Sequence, residues 1–185
     1  NELQYLVDNS DMVALVHERR YAARVAGIAA PRLRTKVVVA DGTDVAYDGV
    51  EYEAALASSS GERDFGERSP DDLYILYTGG TTGMPKVAQH KYSGMIYNGF
   101  LGGELLFDET DVLMCPLPMF HVFAAYPVLM SCIASGAHVV MPTPAGYRGE
   151  GVFDNFWKLI ERWQATFLIT VPTAISALMQ RPVNA

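Results

Sequence analysis

The chain has 185 residues, half of them hydrophobic, with a formal net charge of −7 and a sequence pI near 5.0. This is the size of one ordinary domain with enough apolar material for a packed core. An acidic chain without basic clusters argues against a nucleic-acid partner, and the absence of any run near ~18 apolar residues argues against a transmembrane segment.

Residues 2–9 carry Leu3, Leu6 and Val7 at helical spacing, and Ser10-Asp11 break the pattern. Met12 to Val16 suits a buried strand. Glu18 to Ile28 suits a helix with Tyr21, Val25 and Ile28 on one side, ended by Ala29-Ala30-Pro31. Lys36 to Ala40 is a second strand, and short elements are expected at Val45 and at Tyr52–Leu56. Helix, strand, helix, strand is the rhythm of a parallel α/β unit. Residues 58–72 change character: small, charged and turn-forming residues dominate, as in a linker or exposed loop. It separates a partial α/β segment, 1–57, from a second segment, 73–185.

The second segment opens on the most informative stretch. Leu73 to Tyr77 reads as a buried strand, and six residues made only of Gly and Thr follow, Thr78 to Gly83, before Met84, Pro85 and Lys86. Glycines let backbone N–H groups come close to a ligand, and consecutive N–H groups form an anion-binding concavity. The hydroxyls of Thr78, Thr81 and Thr82 add donors, and Lys86 adds a positive charge. The economical reading is a phosphate-holding loop; the bland one is a flexible linker. It is not a Walker A loop, because Pro85 precedes the lysine and Val87 follows it. Pro85 biases Met84 toward extended backbone, so the expectation is strand, loop, strand.

His90 to Phe107 reads as a helix weakened by Gly94, Gly99, Gly102 and Gly103, which serve either close packing or space for a substrate tail. Then come a strand at Asp111–Leu117, an apolar helix at Val122–Ser135, a strand at Ala137–Met141, a loop at Thr143–Gly151 and an amphipathic helix at Val152–Trp163. A strand at Phe167–Val171 and a helix with Pro172 in its first turn complete the series. The fold class is therefore α/β, a mostly parallel layered sheet with flanking helices. Cys115 and Cys132 make no CxxC or zinc spacing and read as buried thiols in a reducing, cytoplasmic setting. No signal peptide is read at the N-terminus. Phe120 and His121 end a strand, where ligands collect in parallel sheets; alternatively His121 is a hydrogen-bonded histidine at a strand end. His17 and His138 read as structural or exposed.

The stretch YTGGTTGMPK resembles the phosphate-binding signature of the adenylate-forming (AMP-binding) enzymes, most like a fatty acyl-CoA synthetase. Gly79 departs from it, standing where that family carries Ser or Thr. His90 is similar to the histidine that closes the signature. PLPMFHVFAA, from Pro116 to Ala125, resembles the family's acyl-pocket segment, with Ala124 where Gly is usual. FLITVPTAISALM, from Phe167 to Met179, is similar to its strand-Val-Pro-Thr-helix segment.

The resemblance implies ATP-dependent activation of a carboxylate to an acyl-adenylate, then transfer to coenzyme A. Thr78, Gly79, Gly80, Thr81, Thr82, Gly83 and Lys86 would hold the ATP phosphates, with Thr78 helping to place Mg²⁺. Phe120, His121 and Val122 would border the acyl pocket, whose apolar tone favours a fatty or aryl acid. A peptide-synthetase adenylation domain and a non-catalytic nucleotide-binding module are the alternatives within and outside catalysis; a structural α/β domain is a third. The family's adenine, ribose and C-terminal lysine segments have no counterpart here. The chain is therefore read as a truncated piece of the N-terminal domain, expected to be inactive alone. Partners implied are a small carboxylic acid and coenzyme A; a homodimer is left open.

Overall fold

The computed structural model describes residues 2–79 and 83–183, and the described chain is α/β throughout. It forms two compact units, one of Asn1–Glu67 with Gly79–Lys86 and one of Arg68–Thr78 with Val87–Ala185.

In the first unit, helix α1 (Glu2–Ser10) buries Val7 and stops at Asp11, which takes a left-handed φ of 51°. Strands β1 (Ala14–Glu18), β2 (Thr35–Val39) and β3 (Val50–Glu51) form a parallel sheet in that order, with Ala14 opposite Thr35 and Val37 opposite Val50. Val38 is its buried centre. The helix expected over 18–28 is shorter: a 3-10 turn, Arg19–Tyr21, leads into α2 (Ala22–Ala26). That turn is tied from outside, because Arg20 N–H donates to Asp41 Oδ2 at 2.8 Å and Arg19 Nε donates to the Val45 carbonyl at 2.7 Å. Val45 itself lies outside any element. Helix α3 (Tyr52–Ser58) is capped by Glu51, whose carboxylate accepts from Ala54 N–H at 2.9 Å.

In the second unit, β4 (Leu73–Thr78) pairs with β5 (Lys86–Lys91). Tyr92 N–H donates to the Asp72 carbonyl at 2.8 Å, which ties the entry of β4 to the exit of β5. The strand-loop-strand expectation holds, and His90 belongs to β5 rather than to the next helix. That helix, α4, is Tyr92–Leu105. A parallel sheet has β6 (Val112–Met114) between β7 (His138–Val140) and β8 (Phe167–Leu168). Leu113 and Met114 are fully buried, as expected of a strand covered on both faces. All three strands are shorter than the apolar runs that announce them. Pro116 has no N–H to continue the ladder, and the Thr170 hydroxyl donates to the Tyr147 oxygen at 2.7 Å beyond the end of β8.

The apolar helix after His121 is helical to Ser135, but Ala124–Met130 is π-helical before α5 (Ser131–Ser135). Pro127 lies within it, with no N–H to donate and a ring that crowds the preceding turn; the wider π turn accommodates both. Gly136 ends α5 at φ 81°, its N–H donating to the Cys132 carbonyl at 2.9 Å. Helix α6 (Phe156–Trp163) starts four residues later than its pattern, because Asn155 folds back on the Gly151 carbonyl through both N–H and side chain. Its Phe156 is fully buried against Met114, Val140, Val152 and Leu178. Helix α7 (Pro172–Met179) has Pro172 in its first turn, as read from the sequence. Both cysteines are free and buried.

Asp41 accepts from the Thr43 hydroxyl at 2.6 Å and from Arg20 N–H, which lowers its carboxyl from the ordinary 3.8 to about 2. A depressed folded pKa adds stability above the unfolded value that is lost as pH falls through the folded one. The stability gap between wild type and Asp41→Asn should therefore be full above about pH 4 and close toward about pH 2, as thermal melts across that range would read.

Candidate active site

Thr78 ends β4 and Lys86 begins β5, so both flank the glycine-threonine loop at the ends of regular strands. Thr78, Gly79, Gly83 and Lys86 are exposed; Gly80, Thr81 and Thr82 lie outside the described residues. A Cβ at Gly79 or at Gly83 would meet none of the described atoms within 4 Å. The open space at these glycines is compatible with close approach of backbone to a ligand. Exposed hydroxyl, open backbone and ammonium are a donor set suited to phosphate oxygens.

Sequence reasoning missed a residue that holds this loop. Tyr5, on the inner part of α1, donates its hydroxyl to the Pro85 carbonyl at 3.2 Å, eighty positions along the chain and one residue before Lys86. Only the fold brings these together; α1 gave no signal beyond an aromatic in an amphipathic helix.

Within the second unit, Phe120 and His121 line an open cavity of about 370 Å³ with Leu117, Ala124, Tyr147 and Arg148 among its walls. Val122, expected with them, is half-buried and is not one of its lining residues. His121 sits where the chain turns from β6 into helix. Its N–H donates to the Pro118 carbonyl at 3.0 Å, and its Nδ1 accepts from Phe123 N–H at 3.2 Å. In the neutral ring the proton then sits on Nε2, the nitrogen turned away from the backbone. A second cavity, of about 490 Å³, lies on the other side of Leu117 and Phe120, with Met119, Met141 and Pro142 in its wall.

Tyr147 and Arg148 were not read from the sequence. They ride on a 3-10 turn, Gly146–Arg148, inside the loop after β7. Gly146 has φ 57°, and a side chain there would collide with the Pro116 carbonyl, so glycine is required. Tyr147 N–H donates to that carbonyl at 3.0 Å, and its ring stacks on Phe153 at 5.0 Å. Burial pushes the Tyr147 phenol up. Burial also raises Cys115 and takes Cys132 to about 11, so neither thiol is a nucleophile at neutral pH. Among the described residues no cluster of three His, Cys, Asp or Glu side chains could hold a metal.

Losing the Tyr5 hydroxyl removes one hydrogen bond of roughly 0.5–1.5 kcal/mol. In the whole protein, Tyr5→Phe is expected to lower stability by about that amount, as chemical denaturation would read.

The AMP-binding enzyme family matches residues 1–185. A medium/long-chain-fatty-acid–CoA/3-oxocholest-4-en-26-oate–CoA ligase of Mycolicibacterium smegmatis is 55% identical over 95% of this chain and 34% of its own length. The 3-oxocholest-4-en-26-oate–CoA ligase of Rhodococcus rhodochrous is 41% identical over 97% of this chain and 35% of its own length. ATP-bound MatB from Rhodopseudomonas palustris superposes with a TM-score of 0.80 at 28% identity, covering 98% of this chain and 34% of that one. The chain thus spans about a third of the length of these relatives. With the family matched along residues 1–185, the chain belongs to the AMP-binding enzyme family.

Proposed function

We propose that the whole protein is an acid–thiol ligase that activates a carboxylic acid with ATP and passes the acyl group to coenzyme A. A carboxylate oxygen attacks the α-phosphorus, the bond to pyrophosphate breaks, and an acyl-adenylate forms. The coenzyme A sulfur then attacks the acyl carbon and AMP leaves. The observation that carries this reading is the loop from Thr78 to Lys86. Its described glycines have room beside them and its lysine is exposed, which supports donors and a cation acting on the phosphates as they separate.

In this reading Thr78, Gly79, Gly80, Thr81, Thr82, Gly83 and Lys86 hold the β- and γ-phosphates. Mg²⁺ bound to those phosphates would neutralise charge on the departing pyrophosphate; Thr78 offers it one hydroxyl. That fits a cation usually held by phosphates and few protein ligands. Phe120 and His121 border the acid. The apolar walls around them suit a large hydrophobic skeleton, and the relatives' names include medium- and long-chain fatty acids and a steroid acid. No helix among the described residues is long and apolar enough to cross a membrane; a cytoplasmic setting and a homodimer remain part of this proposal.

The whole protein should exchange pyrophosphate into ATP only when a hydrophobic carboxylic acid is present. Lys86→Ala should lower that exchange about 100-fold, as loss of one positioned charge donor does. Because Lys86 is exposed, its melting temperature should change little. ATP binding without acid-dependent exchange would instead make the protein a nucleotide-binding module.

We also propose that 58–72 connects the segments 1–57 and 73–185. Every residue from 57 to 73 is exposed, and no strand or helix lies between Ser58 and Leu73. Its last residues are tied down, since Ser93 N–H donates to the Pro70 carbonyl at 2.9 Å. Brief trypsin treatment should therefore cut first after Arg63, ahead of Lys91 and Lys86, as mass spectrometry of the fragments would read.

A further inference from the structure

The π-helical segment Ala124–Met130 has an inward-facing residue that the functional reading does not use. Tyr126 is 4% exposed, and its hydroxyl has no hydrogen-bond partner among the described residues. Its ring instead meets two others edge-on. The Tyr74 ring, on β4, lies 5.2 Å away at 77°, and the His90 ring, on β5, lies 5.7 Å away at 64°. Edge-to-face is the arrangement that aromatic quadrupoles favour.

The positions of these three rings in the chain give the contact a consequence. Tyr74 stands four residues before Thr78, and His90 stands four residues after Lys86. One ring therefore touches both strands from which the glycine-threonine loop is hung. Two residues before Tyr126, Ala124 lines the cavity that holds His121. The same turn of helix thus meets the cavity at Ala124 and the two strands at Tyr126. Its placement is fixed from a third side, where Gly99 and Gly102 of α4 pack on Met130 and Ser131.

We propose that Tyr126 is a positioning residue for the phosphate loop, clamping β4 and β5 through Tyr74 and His90 to the helix that leaves the His121 cavity. Resting on the ligase reading, this adds to it a fixed distance between the wall of the acid site and the stem of the ATP loop. Tyr126 works by packing and not by proton transfer. Burial, with Tyr74 beside it, pushes its phenol up to about 12, so the ring is neutral at working pH.

The test uses the whole protein, with calorimetric titration of ATP and separate KM values for ATP and for the acid. Tyr126→Leu removes both ring pairs and is expected to weaken ATP binding about tenfold, in Kd and in KM, while the KM for the acid stays within about twofold. Tyr126→Phe keeps the ring and is expected to restore ATP affinity. His90→Leu, on a half-buried residue of β5, is expected to weaken ATP binding in the same direction. Wild-type ATP affinity in folded Tyr126→Leu or His90→Leu overturns the inference, as do equal losses for ATP and acid. If Tyr126→Leu does not fold, His90→Leu decides alone. A wild-type protein that binds ATP but shows no acid-dependent exchange refutes the ligase reading. The clamp is then judged on ATP affinity alone.

Discussion

The second unit depends on how closely α4 lies against the helix that follows His121. At Gly99 a Cβ would stand 2.9 Å from the Met130 carbonyl and side chain, and at Gly102 it would collide with Ser131. No other residue permits that approach. With the two backbones this close, the Ser131 hydroxyl is fully buried without a partner among the described residues, a cost that dense packing around it must offset. The approach fixes the π-helical segment, and that segment carries Ala124 to the cavity and Tyr126 to β4 and β5. The glycines that weaken α4 as an isolated helix are the ones that seat it. Packing, rather than space for a substrate tail, is their role at 99 and 102, whereas Gly94 meets nothing.

Proline shapes the chain at three junctions. Pro85 holds the loop exit extended and leads into β5. Pro116 stops the β6 ladder and leaves its carbonyl for Tyr147 N–H. Pro127 opens the helix into a π turn. At Pro116 and Pro127 the missing N–H ends or widens a regular pattern. The cavity around Phe120 and His121 lies between the second and third of these, where the chain leaves a buried strand and has not yet become a regular helix.

Much of this was legible in the residues. The strand-loop-strand reading of Leu73 to Gln89 followed from Pro85 and from the lack of a Walker A pattern, and the α/β class followed from alternating apolar runs. Strand lengths were not legible, because an apolar run is long enough for the core while ladder pairing needs a neighbour on the other side. For that reason Phe167–Val171 shrinks to Phe167–Leu168. The helix at Val122–Ser135 was visible, but its π geometry was not. Proline inside an apolar helix announces a disruption without saying whether the helix kinks, breaks or widens. The loop residues Thr78 and Lys86 were named from local chemistry, whereas Phe120, His121 and Val122 were named as a pocket wall mainly from the family resemblance, and Val122 does not line the cavity.

What the sequence by itself determined is local: where strands and helices alternate, and that the cysteines are buried core residues. These follow from side-chain chemistry and backbone limits within a few residues of each other. Only the tertiary structure decided that Tyr5 supports Pro85 from eighty positions away, that Arg148 reaches the His121 cavity, and that Tyr126 sits against Tyr74 and His90. Those contacts join residues far apart in the chain. They exist because close packing of helices and strands fixes the distances between them, which no local pattern encodes.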